Sequence, residues 1–264
     1  MNKGLQTYLD FAIETAMEAG KITLGHFPSG LKTSIKNDGT PVTDVDKTTE
    51  EFIRRQIEMK FPGHRIVGEE LESKESDRKG YRWFIDPIDG TKYFIRGVPL
   101  YSMIIGLEIE GVIEVGLLYF PALGELLTAA TGSGCWWNGR PVKVSSVDRL
   151  ENAIMAHSDI LSFDQKGKKQ SFDRVAAPFH SRVGWSDGFG YLQAAIGRVE
   201  LMLEASVSVW DVSPYPVIFR EAGGYFGDWN GNETIYSTQV LACNRLVLPQ
   251  VLDLLGEPDR GNAG

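Results

Sequence analysis

Apolar residues recur at helical spacing over residues 5–27, with Leu5, Leu9, Ala12, Ile13, Ala16 and Ile22 on one face and Pro28 as the stop. A second helical pattern runs over residues 47–60. The spacing then shortens. Residues 65–67 form a brief apolar stretch, and 81–85, with Trp83, Phe84 and Ile85, predict a buried strand. Residues 101–107, 112–119 and 125–130 read as successive strands, with Glu110-Gly111 as a tight turn. Turns at 132–134 and 138–140 lead to a strand at 142–144. Residues 144–152 bridge into a second half that mixes strands and helices, with helices predicted at 187–203 and 211–222. The expected organisation is an N-terminal α+β half, 1–150, and a C-terminal half, 151–264, joined as one compact unit. No repeat or low-complexity tract interrupts it, which removes solenoid and disordered-scaffold readings.

Composition narrows the function less than the pattern does. Hydrophobic content of 42% and charged content of 23% are those of an ordinary globular protein. A net charge of −8, with no long basic block, argues against a nucleic-acid surface. No apolar run approaches the roughly 20 residues that span a bilayer. Cys135 and Cys243 lie far apart and the start lacks a basic-then-apolar signal, so a reducing, cytoplasmic setting is expected. His26, His64, His157 and His180 have no paired spacing, which disfavours zinc.

The chemistry concentrates in Asp86-Pro87-Ile88-Asp89-Gly90-Thr91. Two carboxylates stand three positions apart at the end of a strand too apolar for a solvated turn. Pro87 biases Asp86 towards an extended backbone, so that Asp86, Asp89 and the Ile88 carbonyl can face one point. Hard divalent cations such as Mg²⁺ take oxygen ligands of this kind. Gly90 admits close approach of a ligand, and the amides after it suit an anion. In isolation, the same motif also suits an acidic surface turn.

Three further acidic elements join it. Glu69 and Glu70 follow the strand at 65–67, where they also suit the start of an acidic loop, 69–77. Asp44 and Asp46 precede the second helix, where an aspartate also suits a cap. Asp211 follows the apolar run 207–210, and a cap is again the plainer role.

Together these blocks resemble the inositol monophosphatase superfamily of Mg²⁺-dependent, lithium-sensitive phosphatases. The likeness runs from the N-terminal helix to Glu221-Ala222-Gly223-Gly224, and its two signature blocks are Asp86–Thr91 and Trp210-Asp211-Val212-Ser213-Pro214. The resemblance implies a layered α-β-α-β-α sandwich, a homodimer and two or three Mg²⁺ ions per site. It implies that Glu69, Asp86 and the Ile88 carbonyl hold one ion, and that Asp86, Asp89 and Asp211 hold another. Thr91, bonded to Asp46, would activate the attacking water together with Glu69. Asp89, Gly90 and Thr91 would meet the phosphate.

Within the superfamily, Asp89-Gly90-Thr91-Lys92, Arg96-Gly97 and Asp187-Gly188-Phe189-Gly190-Tyr191 resemble the histidinol-phosphate phosphatase branch. Tyr93 stands where an asparagine is usual, and Ser213-Pro214 where two small residues are usual. Glu204 matches a substrate-contacting glutamate of the inositol phosphatases. The implied substrate is L-histidinol phosphate, with Asp187 and Glu204 as an acidic rim for its amine and imidazole. Inositol 1-phosphate or another small phosphate is the alternative, and a non-catalytic binding protein the last.

Overall fold

The computed structural model describes residues 3–28, 33–35, 41–73 and 80–256. Of the acidic run 69–77, residues 74–77 lie outside the described residues. Contacts divide the chain into two units: one runs to Pro141 and takes in Trp210–Ile218, while the other comprises Val142–Val209 and the chain from Phe219 onward.

The first unit opens with helix α1 (Lys3–His26) and a short pair of strands, β1 (Thr33–Ile35) and β2 (Pro41–Thr43). Helix α2 (Asp44–Lys60) follows. A seven-stranded sheet is then laid down in chain order: β3 (Arg65–Gly68), β4 (Tyr81–Asp89), β5 (Ser102–Ile109), β6 (Val112–Phe120), β7 (Glu125–Ala130), β8 (Gly134–Trp137) and β9 (Arg140–Pro141). Only β3 and β4 pair in parallel; the rest is an antiparallel meander. The four-residue helix α3 (Thr91–Phe94) lies between β4 and β5.

The expected turns form as the side chains dictate. Glu110 and Gly111 sit at φ 50° and 84°, and Asn138 and Gly139 at 48° and 75°, the left-handed pairs that a two-residue hairpin needs. The strand expected at 142–144 does not form; the sheet ends at Pro141, and the Val144 N–H bonds the Ala222 carbonyl instead. Leu5, Leu9, Ala12, Ala16 and Ala19 of α1 and Ile53 and Ile57 of α2 pack on Ile66, Trp83, Ile85, Ile105 and Leu117 of the sheet.

The second unit holds a five-stranded sheet of order β11-β10-β12-β14-β13: β10 (Ile154–His157), β11 (Ser181–Val183), β12 (Leu201–Glu204), β13 (Gly224–Asp228) and β14 (Val240–Asn244). Its helices are α4 (Ile160–Gln165), α5 (Lys169–Ala176), α6 (Asp187–Ala195) and α9 (Leu248–Gly256). Two helices span the division between units, α7 (Val209–Val212) and α8 (Tyr215–Ala222). The single helix expected at 187–203 is corrected here. It stops at Ala195, Gly197 turns at φ 77°, and the remaining residues become the buried strand β12. The segment expected as one helix from 211 is two, because Ser213 and Pro214 separate α7 from α8.

Candidate active site

β4 does not stop at the end of its apolar run but continues through Asp86 to Asp89. Its ladder with β5 slips between those two aspartates. Pro87 accounts for the slip, since it has no N–H to offer a neighbouring strand. The Ile88 N–H turns onto Asp86 Oδ1 at 3.0 Å, and Ser102 Oγ donates to Asp89 Oδ2 at 2.6 Å. Gly90 then takes φ 79°, a left-handed conformation glycine adopts without steric cost, and α3 begins. One strand end thereby delivers Asp86, Asp89 and Thr91 within six residues.

Asp86 is 2% exposed. Burial pushes its carboxyl well above the ordinary carboxylate range, and the neighbouring charges of Glu69, Asp89 and Asp211 push it further, as does a hydrogen bond with Glu69. Like charges gathered out of water favour a shared proton. Among the described residues, no three His, Cys, Asp or Glu side chains stand close enough to hold an ion as they are. The donor set nevertheless fits a hard cation: it is all oxygen, partly buried, and repulsive until a positive charge joins it.

Glu69 reaches this place because β3 runs parallel to β4, with Gly68 beside Ile85, and its N–H bonds the Ile85 carbonyl at 3.2 Å. Asp211 lies within α7 rather than capping it. The chain after it is laid directly on the sheet: a Cβ at Gly106 would lie 2.5 Å from Ser213 Oγ, and one at Gly116 would lie 2.6 Å from the Pro214 carbonyl oxygen.

Asp46 is fully buried at the third position of α2. The cap of that helix is Thr43, not an aspartate, and Asp46 closes a capping box with it. Asp46 Oδ2 accepts from the Thr43 N–H at 2.9 Å and the Thr43 hydroxyl at 2.5 Å. Its other oxygen accepts from Thr91 Oγ1 at 3.2 Å. The Thr91 hydroxyl also lies 3.0 Å from the Ile88 carbonyl oxygen. Burial raises the Asp46 carboxyl, the Thr43 hydrogen bonds oppose that rise, and Glu69 adds to it. Asp46 thus completes the capping box from the third helical position, without being the cap itself, and also accepts from Thr91.

Asp187 and Glu204 lie in the second unit. Asp187 opens α6 at φ 57°, half-buried, and accepts from Ser186 Oγ at 2.8 Å. Glu204 ends β12 and accepts from Tyr191 Oη at 2.6 Å.

Sequence reasoning passed over Thr43, Ser102, Glu50 and Arg54. Thr43-x-x-Asp46 carried the capping-box signal. Glu50 and Arg54 look like an ordinary surface pair at four-residue spacing, and only their burial sets them apart.

Residues 4–256 match the inositol monophosphatase family. The chain belongs to that family. It is 37% identical to a histidinol-phosphatase of Chlorobaculum parvum over 96% of this chain and 98% of that one. It is 32% identical to inositol monophosphatase 3 of Solanum lycopersicum, over 97% and 99%. Among solved structures, the extragenic suppressor protein suhB of Bartonella henselae superposes with a TM-score of 0.89 at 26% identity, covering 96% of this chain and all of that one. The layered α+β class and the coarse reading of a phosphatase stand on these findings. No helix among the described residues is long and apolar enough to cross a membrane.

Proposed function

We propose that this chain is a Mg²⁺-dependent phosphomonoesterase that hydrolyses L-histidinol phosphate to L-histidinol and phosphate. The observation that carries the chemistry is the buried Asp86 carboxyl, raised by burial and then by Glu69, Asp89 and Asp211. Glu69, Asp86 and the Ile88 carbonyl would hold one ion, and Asp86, Asp89 and Asp211 a second. Bound there, Mg²⁺ would offset the charge of the phosphate dianion and acidify a water molecule.

The chain's own residues then supply the proton path. The Thr91 hydroxyl takes a proton from the attacking water as its own passes to Asp46, whose other oxygen Thr43 holds fixed. Water oxygen bonds phosphorus as the ester P–O bond breaks. The leaving alkoxide takes a proton from solvent water, and Asp46 returns the proton it received to solvent, restoring the carboxylate. No side chain attacks phosphorus, so no phospho-enzyme forms. The backbone from Gly90 onward, turned by its left-handed glycine, faces the phosphate on this reading.

The choice of histidinol phosphate rests on the Asp187–Tyr191 segment and on the Chlorobaculum relative. Histidinol phosphate carries an amine, and Asp187 offers it a half-buried carboxylate on a left-handed residue, a conformation Asp tolerates better than most. The Solanum relative favours inositol 1-phosphate as the second reading, in which Glu204 meets a hydroxyl. Comparing kcat/KM for the two esters at saturating Mg²⁺ decides between them. A preference of about a hundredfold for histidinol phosphate, about 2.7 kcal/mol of transition-state binding, is expected. The reverse preference would move the protein to the inositol reading and remove the role of Asp187.

A further inference from the structure

Asp46, Glu50 and Arg54 follow one another at four-residue intervals along α2, a single stripe of the helix. They are 0%, 0% and 8% exposed. Asp46 serves Thr91, while the other two serve a different segment. Arg54 Nε lies 2.6 Å from Glu50 Oε1. The other Glu50 oxygen accepts the Glu70 N–H at 2.7 Å. The two terminal nitrogens of Arg54 donate to the Leu71 carbonyl at 3.0 Å and the Glu72 carbonyl at 3.1 Å. β3 passes so close that a Cβ at Gly68 would lie 2.1 Å from Glu50 Oε1.

Stability alone is a poor reason for this arrangement. A buried ion pair is often no better than apolar residues of the same volume. Here the pair grips three consecutive backbone groups immediately after Glu69. We propose that Glu50 and Arg54 are positioning residues: they clamp the main chain at residues 70–72 and thereby hold the Glu69 carboxylate beside Asp86, setting the affinity for the divalent cation. This rests on the metal-dependent reading proposed above. Because one helix carries both Asp46 and the clamp, Thr91 and Glu69 are registered against the same rigid element. Arginine is required, since lysine can pair with Glu50 but lacks the planar fork that reaches two carbonyls at once.

The test measures Mn²⁺ binding, by counting free Mn²⁺ with electron paramagnetic resonance, together with Mg²⁺ activation curves and melting temperature. The variants are Arg54→Lys and Arg54→Met. Arg82→Met serves as a control, because it breaks the Arg82–Glu108 pair, 3.4 Å apart on the same sheet, and leaves in place the hydrogen bonds by which Glu50 and Arg54 hold residues 70–72. Loss of an outer partner of a metal ligand typically costs about 10–100-fold in metal affinity. Both Arg54 variants are expected to weaken Mn²⁺ binding and raise the half-activating Mg²⁺ concentration by about tenfold or more, with kcat at saturating Mg²⁺ nearly kept. Arg82→Met is expected to change neither. Should Arg54→Met fail to fold, Arg54→Lys, which keeps the charge, carries the comparison. Arg54 variants that melt earlier yet bind Mn²⁺ as the parent does would overturn the clamp and leave a purely structural pair. A parent that binds no Mn²⁺ and hydrolyses no phosphomonoester would instead overturn the functional reading beneath it.

Discussion

Thr91 Oγ1 donates to Asp46 Oδ1 at 3.2 Å across 45 positions of sequence. Asp46 presents that oxygen because Thr43 occupies the other one with both its N–H and its hydroxyl. A helix cap is thus also the anchor of the proposed proton path. Replacing Thr91 by Ala should cut kcat by roughly 10²–10⁴-fold, the usual worth of a positioned proton acceptor, with little change in melting temperature. Steady-state kinetics beside a thermal melt checks this, and a Thr91→Ala enzyme of near-parental kcat would remove the dyad from the mechanism.

Asp86 gives the metal-free protein a distinctive pH dependence. The unfolded chain ionises this residue near its ordinary value of 3.8, whereas the folded chain keeps its proton to higher pH. The folded state therefore binds more protons across that window. In chelator, stability falls as pH rises from 3.8 through the folded value, and the loss is complete above it. Asp86→Asn should melt higher than the parent at neutral pH in chelator, by about 2–4 °C for each kcal/mol of repulsion relieved. With Mg²⁺ added, the order should reverse. Thermal melts of both proteins across pH, with and without Mg²⁺, test the sign directly.

Gly116 should be intolerant for a reason that reaches the site. A Cβ there meets the backbone oxygen of Pro214 at 2.6 Å, and backbone cannot swing aside. Gly116→Ala should cost about 1–3 kcal/mol by overpacking and, by lifting the segment that carries Asp211, raise the Mg²⁺ concentration needed for activity. Unchanged stability and activation in that variant would show that the segment adjusts freely.

Asp187 and Glu204 should separate substrate choice from chemistry. Asp187→Asn should raise KM for histidinol phosphate while leaving kcat for a simple aryl phosphate unchanged. An equal effect on both esters would place Asp187 in folding rather than recognition.

The sequence made the strand-end aspartates easy to see, because everything that aims them is local: an apolar run, a proline, a glycine and a hydroxyl within one stretch. The hairpin turns at Glu110-Gly111 and Asn138-Gly139 were legible for the same reason. What escaped depended on burial. Residues 201–204 continue the apolar character of α6, and only Gly197 at φ 77° marks where the helix has already ended. Glu50 and Arg54 follow the commonest surface spacing of a helix, and nothing in their own letters says that β3 lies over them. The short hold of Thr43 on Asp46 was hidden differently, since an aspartate at the third helical position can complete a capping box and serve a distant threonine at once.

The proposed function stands or falls on metal-dependent hydrolysis by the cluster around Asp86. Its most direct test is phosphate release from histidinol phosphate as Mg²⁺ is titrated into chelator-stripped protein. Release should be absent without the ion, rise to saturation with it, and be abolished by Asp86→Asn even though that variant folds. Release that is equally fast in chelator, or an Asp86→Asn protein as active as the parent, would contradict the account.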